Sequence, residues 1–379
     1  MPPPARHVLA GVAAVSLSVL AACGSGDKTA AQGGGGKGTD VAVTATDTTC
    51  EVARKDLPAG AITFKVTNKG AQATELEIFK ADGKVVSERE NIGPGTGVDL
   101  TVQLSAGTYK VLCSPGMTGK GPAQEITVRG HAASAGDARL DTAVSRYRAY
   151  AEEQVEDTLA ATRKFVAAVK ERDVAAAKAL YAPSRIGWER VEPVAESFGD
   201  IDPKVDLREA DLKQGQTWTG WHRLEKALWV RGSVDGEGRY ADRLVADLAE
   251  LEEQVEHMDI TPTTMANGAK ELLDEVATSK VTGEEEAFSH TDLTDFKANV
   301  DGAEKVYRLL EPVVRDKDAA LVTSLDGQFA NVKALLAGYR EGDGYVSYDT
   351  VRKADRRKFS DAVNALAEPL SKLAGVVAG

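Results

Sequence analysis

Two periodicities divide the chain. Between Thr39 and Arg129, apolar and polar residues alternate in short runs: Val41–Thr46, Ala61–Thr67, Glu75–Phe79, Gly97–Val102, Gly107–Leu112 and Gln124–Arg129. A period of two sends successive side chains to opposite faces of a strand. Pro58-Ala59-Gly60, Asn68-Lys69-Gly70, Asp82-Gly83 and Ser105-Ala106-Gly107 supply turns between the runs. About seven short strands at this spacing predict a β-sandwich of two antiparallel sheets over 39–130.

From Asp141 the period lengthens. Val144, Tyr147, Ala151, Val155, Leu159, Thr162, Val166 and Val169 fall on one helical stripe, as do Val363, Leu366, Leu370 and Leu373. Further helical segments lie between, separated by Pro183, Pro203, Pro262 and the Gly342-Asp343-Gly344 turn. The pattern predicts an all-α antiparallel helical bundle over 141–379, joined to the sandwich by a small, unpatterned linker at 131–140.

The N-terminus speaks to compartment. Arg6 and His7 precede an apolar run from Val8 to Leu20, and Leu20-Ala21-Ala22-Cys23 follows. A basic start, a short apolar stretch and small residues before a cleavage point describe an export signal over 1–23. The run falls short of the roughly 20 apolar residues that cross a bilayer. Leu-Ala-Ala-Cys resembles the bacterial lipobox, which makes Cys23 the lipidated first residue of a mature protein held at the outer face of the cell membrane or in the periplasm. A secreted protein in which Cys23 is incidental is the plainer alternative. The Gly-rich stretch 24–38 reads as a flexible tether.

Composition narrows the partners. A net charge of -12 argues against nucleic acid and suits a cationic ligand. Apart from Cys23, the cysteines are Cys50 and Cys113, and in an oxidising compartment such a pair is first suspected of bonding to itself.

The most informative histidine lies in Trp218-Thr-Gly-Trp-His-Arg-Leu-Glu-Lys-Ala-Leu-Trp229. His222 and Glu225 are spaced to project from one helical face, where an imidazole and a carboxylate can share a cation. Trp218, Trp221 and Trp229 are placed to wall off such a site. A His–Glu hydrogen bond on an ordinary helix satisfies the same spacing, and the zinc-peptidase pattern His-Glu-x-x-His is absent. Glu189 and Glu192 share another helical face, and His290, Asp292 and Asp295 start a further helix, where a carboxylate can also serve as a cap. Glu284-Glu285-Glu286 reads as a solvated charge run.

These residues carry a resemblance. Tyr181-Ala-Pro-Ser-Arg…Glu-Arg-Val-Glu-Pro193, Thr219-Gly-Trp-His-Arg-Leu-Glu-Lys-Ala-Leu228 and Ser289-His-Thr-Asp-Leu…Ala-Asn-Val-Asp-Gly302 resemble the EfeO proteins of the imelysin-like group, known by a His-x-x-Glu motif. Asp47-Thr-Thr-Cys50, Glu75-Leu-Glu-Ile-Phe79, Glu88-Arg-Glu-Asn-Ile-Gly-Pro-Gly95 and Tyr109-Lys-Val-Leu-Cys113 resemble the cupredoxin-like domain that precedes it. The resemblance implies an extracytoplasmic iron-binding protein working beside a membrane iron permease and a haem-containing peroxidase-like protein. It implies iron at His222, Glu225, Glu192 and Asp295, with Glu189 and Asp292 as substitutes. Three carboxylates and one imidazole form a hard donor set suited to iron.

A blue-copper centre in the sandwich is excluded, because 39–129 contains no histidine. The resemblance instead nominates Cys50, Cys113, Glu75 and Glu90 as ligands of a copper or iron site. A Cys50–Cys113 disulfide is the competing reading, and we favour the metal pair. The working expectation is capture and handover of iron, not turnover. An imelysin-type metallopeptidase and a non-catalytic surface-binding lipoprotein are the alternatives, the first requiring Glu225 to act as a general base and not as a ligand.

Overall fold

The computed structural model describes residues 38–130 and 137–379. The export signal, Cys23 and almost all of the tether and linker expected above lie outside the described residues.

The alternating region builds nine strands: β1 (Thr39–Ala45), β2 (Cys50–Val52), β3 (Asp56–Pro58), β4 (Gly60–Asn68), β5 (Thr74–Lys80), β6 (Val85–Ile92), β7 (Gly97–Leu104), β8 (Gly107–Pro115) and β9 (Ala123–Arg129). They form two sheets, ordered β2-β1-β4-β7 and β3-β9-β8-β5-β6. Most pairings are antiparallel, but β1 runs parallel to β4 and β3 parallel to β9. Both exceptions depart from the all-antiparallel expectation. The core is what the period of two dictates, with Val41, Val43, Ile62, Phe64 and Val102 of one sheet facing Leu76, Ile78, Val111 and Ile126 of the other. The alternation does not reveal β2 or β3, which are three residues long. Nor does it reveal β6, whose Ser-Glu-Arg-Glu-Asn run carries polar residues on both faces.

The helical region comprises α1 (Ala138–Lys170), α2 (Val174–Val191), α3 (Asp202–Val205), α4 (Trp221–Lys226), α5 (Gly238–Val255), α6 (Pro262–Thr278), α7 (Asp292–Lys317) and α8 (Ala319–Ala337). A two-stranded hairpin, β10 (Arg340–Glu341) and β11 (Gly344–Tyr345), forms at the expected turn, followed by α9 (Lys353–Leu370) and α10 (Leu373–Ala378). Pro262 begins α6, where a missing N–H costs nothing. Pro183 does not separate segments as expected; it sits inside α2. The burial of Tyr181, Trp188 and Val191 holds that helix together across it.

The stripe on α1, from Tyr147 through Val155 and Leu159 to Val169, enters one continuous core with α2, α5 and α7. Gly302 on α7 sits where a Cβ would lie 2.4 Å from the carbonyl oxygen of Arg190, so only glycine lets α7 back this closely onto α2. The sandwich rests on α6. Asn267 Nδ2 donates to Ser87 Oγ (3.0 Å) and to the Thr101 carbonyl (2.9 Å). The Gln103 amide donates to Thr263 Oγ1 (3.0 Å), and Arg89 pairs with Glu271 (2.7 Å). Among the described residues no helix is long and apolar enough to cross a membrane.

Candidate metal centre

His222 enters the helical core because of Gly220. That residue has φ 85, and a Cβ there would lie 2.2 Å from the Val205 carbonyl oxygen, so glycine alone permits the turn into α4. The turn buries Trp221, His222, Leu224 and Glu225 together. Trp221 and Trp188 pack on one side (6.4 Å between centroids), and Trp229 packs edge-on against Tyr181 (5.4 Å) on the other.

Both imidazole nitrogens face carboxylates. Nδ1 lies 3.2 Å from Glu225 Oε2. Nε2 lies 3.3 Å from Asp206 Oδ1 and 3.7 Å from Glu285 Oε1, yet makes no hydrogen bond. Ligand atoms of Asp206, His222 and Glu285 all fall within 4.8 Å of one another, as do those of His222, Glu225 and Glu286. Two donors at ~2.1 Å from one ion, at octahedral or tetrahedral angles, stand roughly 3.0–3.4 Å apart. The Nε2 side therefore needs little adjustment to close on a cation. Glu225 is differently occupied: its Oε1 accepts the backbone amides of Phe288 (2.9 Å) and Ser289 (2.6 Å). A carboxylate fixed in this way favours a proton on Nδ1, so Nε2 is the nitrogen that could meet a cation once its own proton is displaced.

Two buried cations stand among these groups. Arg185 pairs with Glu189 and Asp206, and its Nε lies 2.8 Å from Glu286 and 3.6 Å from Asp295. Lys280 pairs with Glu189 (3.2 Å) and Glu192 (2.8 Å). Against them stand Glu189, Asp206, Glu225, Glu285, Glu286, Asp292 and Asp295, all buried. The surplus of carboxyl groups must be offset by protons or by a further cation.

The protonation pattern follows from this surplus. Burial pushes Glu286 up to about 8 and Asp292 up to about 6. Burial likewise raises Asp295 and Glu192 well above the usual carboxylate range. Around the imidazole the order reverses. Burial and Arg185 both oppose the imidazolium, but Asp206, Glu225 and Glu285 overcome them and hold His222 well above its usual value. Burial opposes ionisation of Asp206 and Glu225 too, but Arg185 and His222 keep Asp206 low and the hydrogen bond from His222 keeps Glu225 low. Lys280 and His222 hold Glu285 down at about 2 despite burial.

The predicted residues are thus divided. His222 and Glu225 meet as their spacing requires. Glu189 and Glu192 belong to neither group and instead hold Lys280 and Asn299. Asp295 lies beside Arg185, with neither carboxylate oxygen hydrogen-bonded. Asp292 Oδ1 accepts the Glu286 amide (3.3 Å). His290 is at φ 58 and outside both groups. Sequence reasoning missed Asp206, which follows a four-residue helix in an unpatterned stretch. It also misread Glu285 and Glu286, which are 4% and 0% exposed, as a solvated run. The turn between α6 and α7 folds them inward onto Arg185, Lys280 and His222.

In the sandwich, Cys50 and Cys113 are joined as a disulfide, with Cα atoms 5.4 Å apart. This corrects the favoured metal pair: with each sulfur bonded to the other, neither is a thiolate donor. Glu75 is separated from them as well. Cys113 pairs with Leu76 and faces the core, whereas Glu75 pairs with Ser114 and faces outward. Glu90 lies on β6 in the wall of a cleft of about 600 Å³ between sandwich and helices. Asp206, Glu275 and Glu285 line the opposite wall, so the cleft ends at the residues beside His222 Nε2.

The comparisons follow the same division. Residues 143–373 match the imelysin family and residues 13–128 the cupredoxin-like domain. The iron uptake system component EfeO of Escherichia coli strain K12 is 39% identical over 345 residues, 89% of this chain and 91% of that protein. The protein of the same name from Shigella flexneri gives the same identity and coverage.

Proposed function

Because the chain belongs to the EfeO family of iron-uptake components, with a cupredoxin-like domain ahead of an imelysin domain, we propose that it captures an iron ion at His222. The ion is cargo and enters from the interdomain cleft. Asp206, Glu285 and His222 Nε2 hold it, while Glu225, braced by two backbone amides, keeps the proton on Nδ1. The observation that carries this reading is His222 Nε2: buried, without a hydrogen bond, and beside two ionised carboxylates that line the cleft. This reading keeps the one imidazole expected, but joins to it Asp206 and Glu285 in place of Glu225, Glu192 and Asp295.

Arg185 and Lys280 keep the remaining carboxylates compensated before the ion arrives, so the empty seat does not fly apart by repulsion. Binding displaces the imidazole proton, and release reverses this. In this reading the protein is exported, tethered through Cys23, and hands its ion to a membrane permease alongside a haem-containing peroxidase-like partner. The test is iron titration of the full chain by calorimetry under anaerobic conditions. Wild type should bind tightly and His222→Ala should lose at least tenfold in affinity while keeping its helical circular dichroism. An unchanged isotherm for a folded His222→Ala protein would overturn the proposal.

A further inference from the structure

A third cation, Arg208, touches the surplus of carboxylates and differs from the other two. Arg185 and Lys280 are wholly buried, whereas the Arg208 side chain is 24% exposed and lines the interdomain cleft. Its Nη1 lies 3.3 Å from Oε2 of Glu285 and 3.2 Å from Oε1 of Glu284, and its Nε lies 2.7 Å from Oδ2 of Asp211. The other oxygen of Glu285, Oε1, is the one that faces His222 Nε2. Glu285 thus stands between imidazole and guanidinium, with only 5% of its side chain exposed.

Backbone and side chain are held differently here. Trp218 Nε1 donates to the Leu207 carbonyl (2.7 Å) and Thr219 Oγ1 to the Lys204 carbonyl (2.7 Å), which fixes the chain leading into Arg208. The guanidinium, by contrast, has two partners outside the seat. Asp211 and Glu284 are 46% and 47% exposed, and ion pairs in such solvent hold a long side chain weakly. Both line the same cleft. Arg208 can therefore leave Glu285 and keep a counter-charge, which Arg185 and Lys280, enclosed by carboxylates, cannot do without stranding buried charge.

We propose that Arg208 is a stand-in for the cargo: it neutralises Glu285 while the seat is empty and gives way to the ion, keeping to Asp211 and Glu284, when the seat fills. The inference rests on the His222 reading and adds how the ion is let go. Two cations compete for one carboxylate, so Arg208 lowers the affinity of the seat. By returning to Glu285 as the ion departs, it also speeds emptying. A guanidinium that only positioned Glu285 would act in the opposite sense, since its removal would loosen a ligand and weaken binding. The sign of the change separates the two roles.

Fe²⁺ is the probe, on the full disulfide-bonded chain under anaerobic conditions. Calorimetry should give Arg208→Gln an affinity several-fold above wild type, and transfer of its Fe²⁺ to ferrozine, followed by absorbance, should slow by a similar factor. Arg208→Lys keeps the charge and should fall back towards wild type in both measurements. The half-open position should leave both variants folded by circular dichroism. An Arg208→Gln protein that binds Fe²⁺ no more tightly than wild type, at a site that His222→Ala removes, overturns the stand-in and leaves the seat. An Arg208→Lys protein that tightens as much as Arg208→Gln overturns it as well, because charge is then not what competes. An isotherm unchanged by His222→Ala overturns both readings.

Discussion

Lys280 Nζ lies 2.8 Å from Oε1 and 3.0 Å from Oε2 of Glu192, so a buried lysine grips a carboxylate expected from the family resemblance to be an iron ligand. The same ammonium reaches Glu189, and Asn299 Nδ2 donates to both glutamates. In the proposed site Glu192 would therefore brace Lys280 and leave the ion to other groups. Glu192→Gln should change iron affinity less than threefold. Lys280→Met should instead cost about 3 kcal/mol or more in chemical denaturation, since it strands buried carboxylates. A large affinity loss in Glu192→Gln would return that residue to the ligand set.

Asp206→Asn and Glu285→Gln each remove a charge beside Nε2 and should weaken iron binding at least tenfold, measured by calorimetry. Glu225→Gln should act through the imidazole. Loss of a carboxylate that orients a ligating histidine costs ~10–100-fold, and the ring should become mobile in NMR relaxation. If Glu225→Gln costs more than either of the other two, Glu225 binds the ion directly.

Stability of the ion-free protein should fall as pH rises through the neutral range. Glu286 is held near 8 by burial, against an ordinary value of 4.5. The folded state binds this proton more tightly than the unfolded chain does. The stability so gained is full below about 4.5 and is lost as pH climbs through about 8. Asp292, raised to about 6, contributes with the same sign. Glu286→Gln should flatten this part of the profile in thermal melts at several pH values. Iron binding to wild type at neutral pH should release protons, read as a buffer-dependent enthalpy.

Reduction of the Cys50–Cys113 bond, which closes a loop with a sequence separation of 63, should lower sandwich stability by ~2–5 kcal/mol. Iron affinity at His222 should not change, because neither sulfur belongs to that site. A sandwich that takes up Cu(I) upon reduction would restore a metal role for the pair.

What could be read from the sequence was whatever is periodic or adjacent. The alternation in β1, β4 and β7 and the stripe of α1 report burial directly, and the spacing of His222 and Glu225 puts both on one turn. Asp206, Arg185 and Lys280 lie in different segments that only the folded chain brings together. Glu285 and Glu286 looked solvated because a charge run normally is. Nothing local reveals that Arg185, Lys280 and His222 converge on it. Cys50 and Cys113 meet in the folded core and bond to each other, which their separation along the chain does not reveal. The strand pairing sends Glu75 and Cys113 to opposite faces, which motif similarity does not register.

The two amides that hold Glu225 have a use beyond bracing. Phe288 and Ser289 each donate an N–H to Oε1, while Oε2 of the same carboxylate faces Nδ1 of His222. Hydrogen-bonded amide protons shift downfield as their acceptor becomes more negative. These two resonances are therefore intrinsic indicators of the imidazole's protonation, and they belong to the segment that carries Glu285. A nitrogen-15 correlation spectrum could follow loading and emptying of the seat through the protein's own backbone, without any spectroscopic label on the ion.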